Sequence, residues 1–557
     1  MTIKYNDKEF MTDNDLKINI LGPWPKLEIK NSKLSEIIQR NFFGGDKIVA
    51  YAQSLVSRGM DFNALEEEIF RDSQDPEKTL DETIFRKTAT GIGRGHSLGG
   101  LSGVELGIHG TKMIDSGLTG LVASRSLVTS YRRRETTTEE IVVPESLFQK
   151  KDLLEEYLNI SKEVFKLSSE FKEKFGNLGG VETFNKIIPY NNPADLFIVL
   201  PLDTMATIVS EVRNDRLNPK GPFLPKEIWK LADEFPNITK EIGQNIMFRQ
   251  RIEVPRDTYF HYNVFKDPSL PNYALEEAQI RNMPLEPLVL DYSKNITDGF
   301  KRNFENLKKL FEKTKKLIDP KALHDESLIC MYALREFVSE YNEAVRVKIL
   351  DNLSWRVWSE QKRHATLRQN VESVYSAVER ASFDMRENWP RIEKAYRENN
   401  FELLQNIIEN LEKNIVIDDR LKKKPELAMP YVYHTAKQLM FYRKMIEKGF
   451  EQRDALYIVP KNIRVRTLEN YDLTNLINLE LPLRLCGTCE PERQSTSWKK
   501  REKILQVVPE IEYFLQPKCN IGFCTEGKYC KNIEKQRKYN MELHIQTKQA
   551  MLEKSKN

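Results

Sequence analysis

Apolar residues recur at helical spacing through much of this chain. They fall at Leu154, Leu158 and Phe165 within 152–175, and at Phe304, Leu307 and Phe311 within 301–317. Each set makes one stripe along a helix, and a stripe of that kind is buried against a neighbour. The same spacing predicts helices over 34–70, 328–350, 401–415 and 434–448. Short unbroken apolar runs stand apart from these. Phe197-Ile-Val-Leu-Pro201 reads as a buried strand or turn closed by its proline, and Tyr457-Ile-Val-Pro460 has the same form. Loops are marked by Gly22-Pro-Trp-Pro25 and by 219–225. The proline-rich stretch 255–290 is the best linker candidate. Residues 91–110 hold eight glycines, a density foreign to the helical segments around them.

Two halves share an order of parts: a basic cluster with polar residues after it, a helix, then an apolar tetrapeptide ending in proline. Arg132-Arg-Arg-Glu-Thr-Thr-Thr-Glu-Glu140 is matched with Lys362-Arg-His-Ala-Thr-Leu-Arg-Gln-Asn370, and Pro201 with Pro460. An old duplication accounts for this order, with a longer connection in the second half within 380–427.

The chain's 557 residues give room for two or three domains, and 40% hydrophobic content excludes disorder throughout. A net charge of +4, from 86 basic and 82 acidic residues, argues against a nucleic-acid partner. The seven Lys/Arg of 301–317 face away from its apolar stripe and read as a solvated surface. No run approaches the ~18 apolar residues of a membrane span. The first residues, Met1-Thr-Ile-Lys-Tyr-Asn-Asp-Lys8, carry no apolar secretion signal. A cytoplasmic location is therefore expected, with thiols reduced or metal-bound.

Three groups of residues carry candidate chemistry. Arg363-His-Ala-Thr-Leu-Arg-Gln-Asn-Val-Glu-Ser-Val-Tyr375 packs cations, amides, a carboxylate and hydroxyls together. Its guanidinium forks fit phosphate oxygens or a polarised carbonyl, and Gln369 and Asn370 can both donate and accept. Gly95-His-Ser-Leu-Gly99 fits the nucleophile-elbow pattern, but 87–94 is not the apolar strand an elbow requires. A turn whose backbone amides approach a flavin or phosphate explains the glycines as well. Cys486-Gly-Thr-Cys489, Cys519, Cys524 and Cys530 cluster late in the chain. Cys489, Cys519, Cys524 and Cys530 suit four-thiolate coordination of zinc or an iron–sulfur cluster, with Cys486 spare. Cys330 reads as a core residue, and the Lys- and Gln-rich 531–557 as a frayed surface helix.

Taken with Ile458-Val-Pro460 and Asn478-Leu-Glu-Leu-Pro-Leu-Arg484, the segment 363–375 resembles the signature of the flavin-dependent thymidylate synthases. His96 and Ser97, followed by Glu105, resemble the His-x-Ser element of that family. The resemblance covers 85–515 loosely. It implies a helix-rich α+β fold with two tandem thymidylate-synthase-complementing-like domains, each an antiparallel sheet with helices, at 76–265 and 266–515. An N-terminal extension (1–75) and a Cys-rich knuckle with a basic tail (516–557) flank them. It also implies transfer of a methylene from methylenetetrahydrofolate to dUMP, with reduction by NADPH through FAD, in a homodimer that mimics a four-domain assembly. Carried over by position, Arg363 and Ser373 serve catalysis. His96, Ser97, Arg363, His364, Asn370 and Asn478 hold FAD, and Ser373, Arg484, Arg133 and Arg134 hold the nucleotide. Ala365, Arg368, Val371, Tyr375 and Leu456 depart from the family's pattern. These departures leave two other readings: a non-catalytic homologue that binds nucleotide or RNA, and a flavoenzyme methylating another uridine-like substrate.

Overall fold

Alternation builds the strands of the computed structural model, which describes residues 3–5, 8–24, 103–119, 125–128, 140–175, 184–241, 264–269, 285–363 and 366–521. The earlier part of the chain contributes β1 (Lys17–Trp24), β2 (Gly103–Thr111), α1 (Lys112–Leu118), β3 (Arg125–Val128), α2 (Lys151–Phe175) and β4 (Pro193–Pro201). Val104, Leu106 and Ile108 of β2 are buried, with half-buried residues between them, so the sheet packs by one face. The later part contributes β5 (Leu288–Lys294), α3 (Asp298–Lys315), α4 (Pro320–Glu340), β6 (Val345–Ser354), α5 (Trp355–Gln361), β7 (Arg368–Val371), α6 (Val374–Glu398), α7 (Pro425–Glu447), β8 (Arg464–Asp472) and α8 (Pro491–Val507). The sheets are ordered β1-β2-β4-β3 and β5-β6-β8-β7, the same order twice. A register shift interrupts the first pair of each, at Ile20/Gly22 and at Val289/Asp291.

The structure corrects one predicted element. The helix expected over 328–350 ends at Glu340, and Val345-Arg-Val-Lys-Ile349 is strand β6. Buried Val345, Val347 and Ile349 alternate with half-buried Arg346 and Lys348, a period of two that a helix cannot bury. The helix expected from 434 begins at Pro425, where a missing N–H costs nothing. Phe197–Pro201 is the end of β4, whereas Leu456–Ile458 is a 3₁₀ turn. The segments 34–70 and 91–102 lie outside the described residues.

By its internal contacts the chain forms two compact units. One comprises 1–271, 354–365 and 371–465, the other 272–353, 366–370 and 466–557. In the first, α2 and α7 pack with Trp355, Trp358 and the apolar face of α6 in one core. In the second, Phe304 and Phe311 of α3 meet Phe514 edge to face at 5.1 Å, and Phe337 of α4 meets Phe300 and Phe304 edge to face at 5.1 and 5.8 Å. No helix among the described residues is long and apolar enough to cross a membrane.

Within the first unit the same bonds occur twice. Lys112 N donates to Asn192 O (2.9 Å) and Trp355 N to Ile463 O (2.8 Å). Val142 N donates to Asn191 O, and Val416 N to Asn462 O, both at 2.8 Å. Tyr157 Oη reaches Val142 O (2.8 Å), as Tyr431 Oη reaches Val416 O (3.2 Å). Asn191 donates to Ser161 Oγ (2.8 Å), and Asn462 to Thr435 Oγ1 (2.9 Å). Pro189 and Pro460 then bridge each other antiparallel. This register differs from the one expected between the halves. Arg132 follows β3 in the chain whereas Lys362 precedes β7, and the partner of Pro460 is Pro189, not Pro201. Basic clusters carry no period that ties them to a strand, so matching them by composition slides the register.

Candidate functional site

The short helix α1 begins where Thr111 Oγ1 accepts from Met113 N, and all seven of its residues are buried. Lys112 and Asp115 lie one turn apart and pair directly. The second Asp115 partner is Arg363, with Nη2 at 3.4 Å from Oδ2. Lys362 follows α5, and its ammonium donates to the carbonyls of Asp115 (3.2 Å) and Ser116. Burial alone would raise the Asp115 carboxyl, but Lys112, then Arg363 and Lys362, hold it well below the usual carboxylate range. Burial pushes the Lys112 and Lys362 ammoniums down, and Asp115 opposes that only in part. Lys461, also buried, donates to Asn192 Oδ1 at 2.7 Å. Arg363 keeps 31% side-chain exposure, so its fork can meet a ligand while Asp115 fixes its aim.

Beside this cluster, Ser116 and Ser359 face each other at 3.3 Å between their hydroxyls. Trp355 Nε1 donates to Ser116 Oγ (3.1 Å), and Tyr190 Oη lies 3.1 Å from Ser359 Oγ. The Tyr190 and Trp355 rings stack with centroids 3.7 Å apart.

The rest of the segment 363–375 points elsewhere. Val371 is fully buried. Tyr375 is buried too, donating to Phe223 O and packing on the Phe223 ring. Ser373 Oγ donates to Lys266 O (2.6 Å) and leaves α6 without a side-chain cap. Glu372 holds Arg380 by two bonds of 2.8 and 2.9 Å. Asn370 is half-buried on β7. His364, His96, Ser97, Arg133 and Arg134 lie outside the described residues.

In the second unit, Asn478 lines a cavity of about 770 Å³ with Arg335, Asn342, Lys518, Met331 and Tyr332. Arg484 is taken up by Glu480 (Nε to Oε1, 2.8 Å), although its buried Nη2 finds no acceptor. Cys486 and Cys489 are free thiols, and burial raises the Cys489 pKa. No group of three or more His, Cys, Asp or Glu able to hold a metal occurs among the described residues. Cys524 and Cys530 lie outside them. Cys330 is buried, as expected.

Sequence reasoning missed Lys112, Asp115 and Lys461. Lys112-Met-Ile-Asp115 reads as an ordinary i,i+3 surface pair, and nothing local says that its helix is buried all round.

The comparisons with known proteins point one way. Residues 308–510 match the family model described as thymidylate synthase complementing protein. The flavin-dependent thymidylate synthase of Pyrococcus abyssi is 30% identical over 123 residues, 21% of this chain and 50% of its own length. That of Pyrococcus horikoshii is 32% identical over 123 residues with the same shares. That of Thermococcus kodakarensis is 31% identical over 125 residues, 22% of this chain and 51% of its own. The chain thus spans about half the length of the curated relatives it matches. A flavin-dependent thymidylate synthase from Helicobacter pylori, solved with FAD and dUMP, is similar over 41% of this chain and 97% of its own, at 14% identity and a TM-score of 0.25. The match over 308–510 and these relatives support membership of the flavin-dependent thymidylate synthase family.

Proposed function

We propose that this chain binds FAD and a uridine nucleotide and transfers a methylene from methylenetetrahydrofolate to dUMP, with NADPH as reductant, to give dTMP. The observation that carries this reading is Arg363, partly exposed and aimed by a buried carboxylate at the head of the family signature. The donor set fits the cofactor. The cavity lined by Asn478 falls within the ~300–1,000 Å³ of small-molecule sites. Arg335 and Lys518 offer cations to a phosphate, and Tyr332 and Met331 offer an apolar wall to a ring. FAD would supply the hydride acceptor and donor that no side chain provides. The protein's part is positioning. Arg363 would hold an anionic oxygen, Asn478 would orient a ring edge, and Ser373 and Arg484 would contact the nucleotide after leaving their present partners. The recurring sheet order and the doubled bonds of the first unit support a tandem duplication, and two chains would then recreate a four-domain assembly. Cys489, Cys519, Cys524 and Cys530 would hold zinc or an iron–sulfur cluster.

A second reading, a homologue that binds nucleotide without turning it over, is favoured by Val371 and Tyr375. Both sit in the core where the family's pattern places charged residues. Purified chain incubated with FAD and desalted tests the first reading: retained flavin absorbance is expected, and a colourless protein sinks it. Formation of dTMP from dUMP, methylenetetrahydrofolate and NADPH then separates catalysis from binding. Arg363→Ala should lower that rate about 10- to 100-fold, the equivalent of a ~1.5–3 kcal/mol charge-assisted hydrogen bond.

A further inference from the structure

Bonds that seat Trp355, Lys362 and Arg363 end on two residues of α1. The Asp115 carboxylate meets the Arg363 fork, the carbonyls of Asp115 and Ser116 take the Lys362 ammonium, and Ser116 Oγ takes Trp355 Nε1. Where α1 sits in the first unit therefore decides where the Arg363 guanidinium points. A helix of seven residues does not hold its own position, so its neighbours must.

Adjacent residues of the helix Lys226–Glu241 hold α1 at both ends. Near one end Ile228 packs on Gly117, so closely that a Cβ there would lie 2.3 Å from Ile228 Cδ1. Glu227 grips the other end. Its two oxygens accept from Thr111 N (2.7 Å) and Thr111 Oγ1 (2.6 Å), and Thr111 is the N-cap of α1. Because Thr111 Oγ1 accepts from Met113 N at 3.2 Å, its one hydroxyl proton is left for Glu227, and cap and carboxylate fix each other. A third bond, from Tyr457 Oη at 3.1 Å, reaches the same carboxylate from outside α1. Glu227 is 0% exposed, its hydrogen-bond partners are neutral, and the charge that acts on it most is the Asp13 carboxyl, of its own sign. Burial works against the ionised form, which in return makes charge-assisted bonds that set the first turn of α1.

We propose that Glu227 is a positioning residue: through Thr111 it fixes where α1 starts, and through Asp115 it fixes the aim of Arg363. The inference rests on the proposed thymidylate reading only for what Arg363 then meets.

Labelling of the full-length chain with phenylglyoxal at pH 8, read at Arg363 by peptide mass spectrometry, tests this. Arg363 shows 31% of its side chain, so its release should speed labelling up to about threefold. Glu227→Gln and Thr111→Val should each give that rise. Tyr457→Phe removes a bond from the same carboxylate without touching α1, and should leave the Arg363 rate unchanged. A residue that merely stabilised the fold would move the melting curves of all three variants and not separate them by Arg363 labelling. Melting curves also show that each variant folds. An unchanged Arg363 rate in folded Glu227→Gln and Thr111→Val, or an equal rise in Tyr457→Phe, would overturn the proposal. Faster Arg363 labelling in Glu227→Gln, beside a wild type that retains no flavin, would leave it standing and remove the thymidylate reading.

Discussion

At the residue scale, two buried titrating groups of the first unit pull stability in opposite directions. His434 is 8% exposed on α7, and its Nδ1 stays 3.7 Å from the Glu163 carboxylate. Burial pushes its pKa down to about 4, with Glu163 opposing. The unfolded chain, with an ordinary histidine at ~6.5, then binds more protons than the fold. The contribution of His434 is whole above pH ~6.5 and is lost as pH falls through about 4. Glu227 does the reverse. Burial raises its carboxyl to about 7 although Thr111 donates to both its oxygens at 2.7 and 2.6 Å. Its contribution is whole below ~4.5 and is lost as pH rises through about 7. Each change is on the order of 3 kcal/mol, so between pH 4 and 7 they largely cancel. Relative to wild type, His434→Gln should lose stability as pH rises over that range, and Glu227→Gln should gain it. Urea unfolding at several pH values checks the pair, and parallel profiles for both variants would refute it. Of this, the sequence showed only a histidine within a helix; the burial that depresses it comes from residues far along the chain.

At the element scale, a helix rich in charged residues can bury part of that charge. In α8 Lys500 is fully buried, 2.5 Å from both Asp351 and Glu469. Arg493, two turns earlier on the same face, lies 3.2 Å from Glu480. The helix packs by charge complementarity, which no hydrophobic period announces. Lys500→Met leaves two buried carboxylates facing each other and should cost about 3–5 kcal/mol in the second unit, read by denaturant unfolding. A loss below ~1 kcal/mol would mean that water already reaches these groups. Strand β6 is the contrary case. Its alternation was present in Val345-Arg-Val-Lys-Ile349, but a preceding helix of matching hydrophobicity masked the change of period.

At the scale of the whole molecule, the repeated bonds make a quantitative statement. Tyr157 and Tyr431 each donate to the carbonyl fifteen residues before them, from the same turn of two long helices. Tyr157→Phe and Tyr431→Phe should therefore destabilise by similar amounts, about 1 kcal/mol each, in equilibrium unfolding. A several-fold difference would say that the two environments have ceased to be equivalent. The sequence by itself determined the helix-rich α+β character, the helices 152–175 and 301–317 and the family signature, because periodicity and local motifs depend on neighbours in the chain. Only the tertiary structure decided which proline meets which, that Tyr375 and Val371 are core residues, and that Asp115 and Lys112 lie beside Arg363. Those facts depend on contacts between residues hundreds of positions apart, where burial, not residue type, sets whether a charge faces solvent or is paired inside.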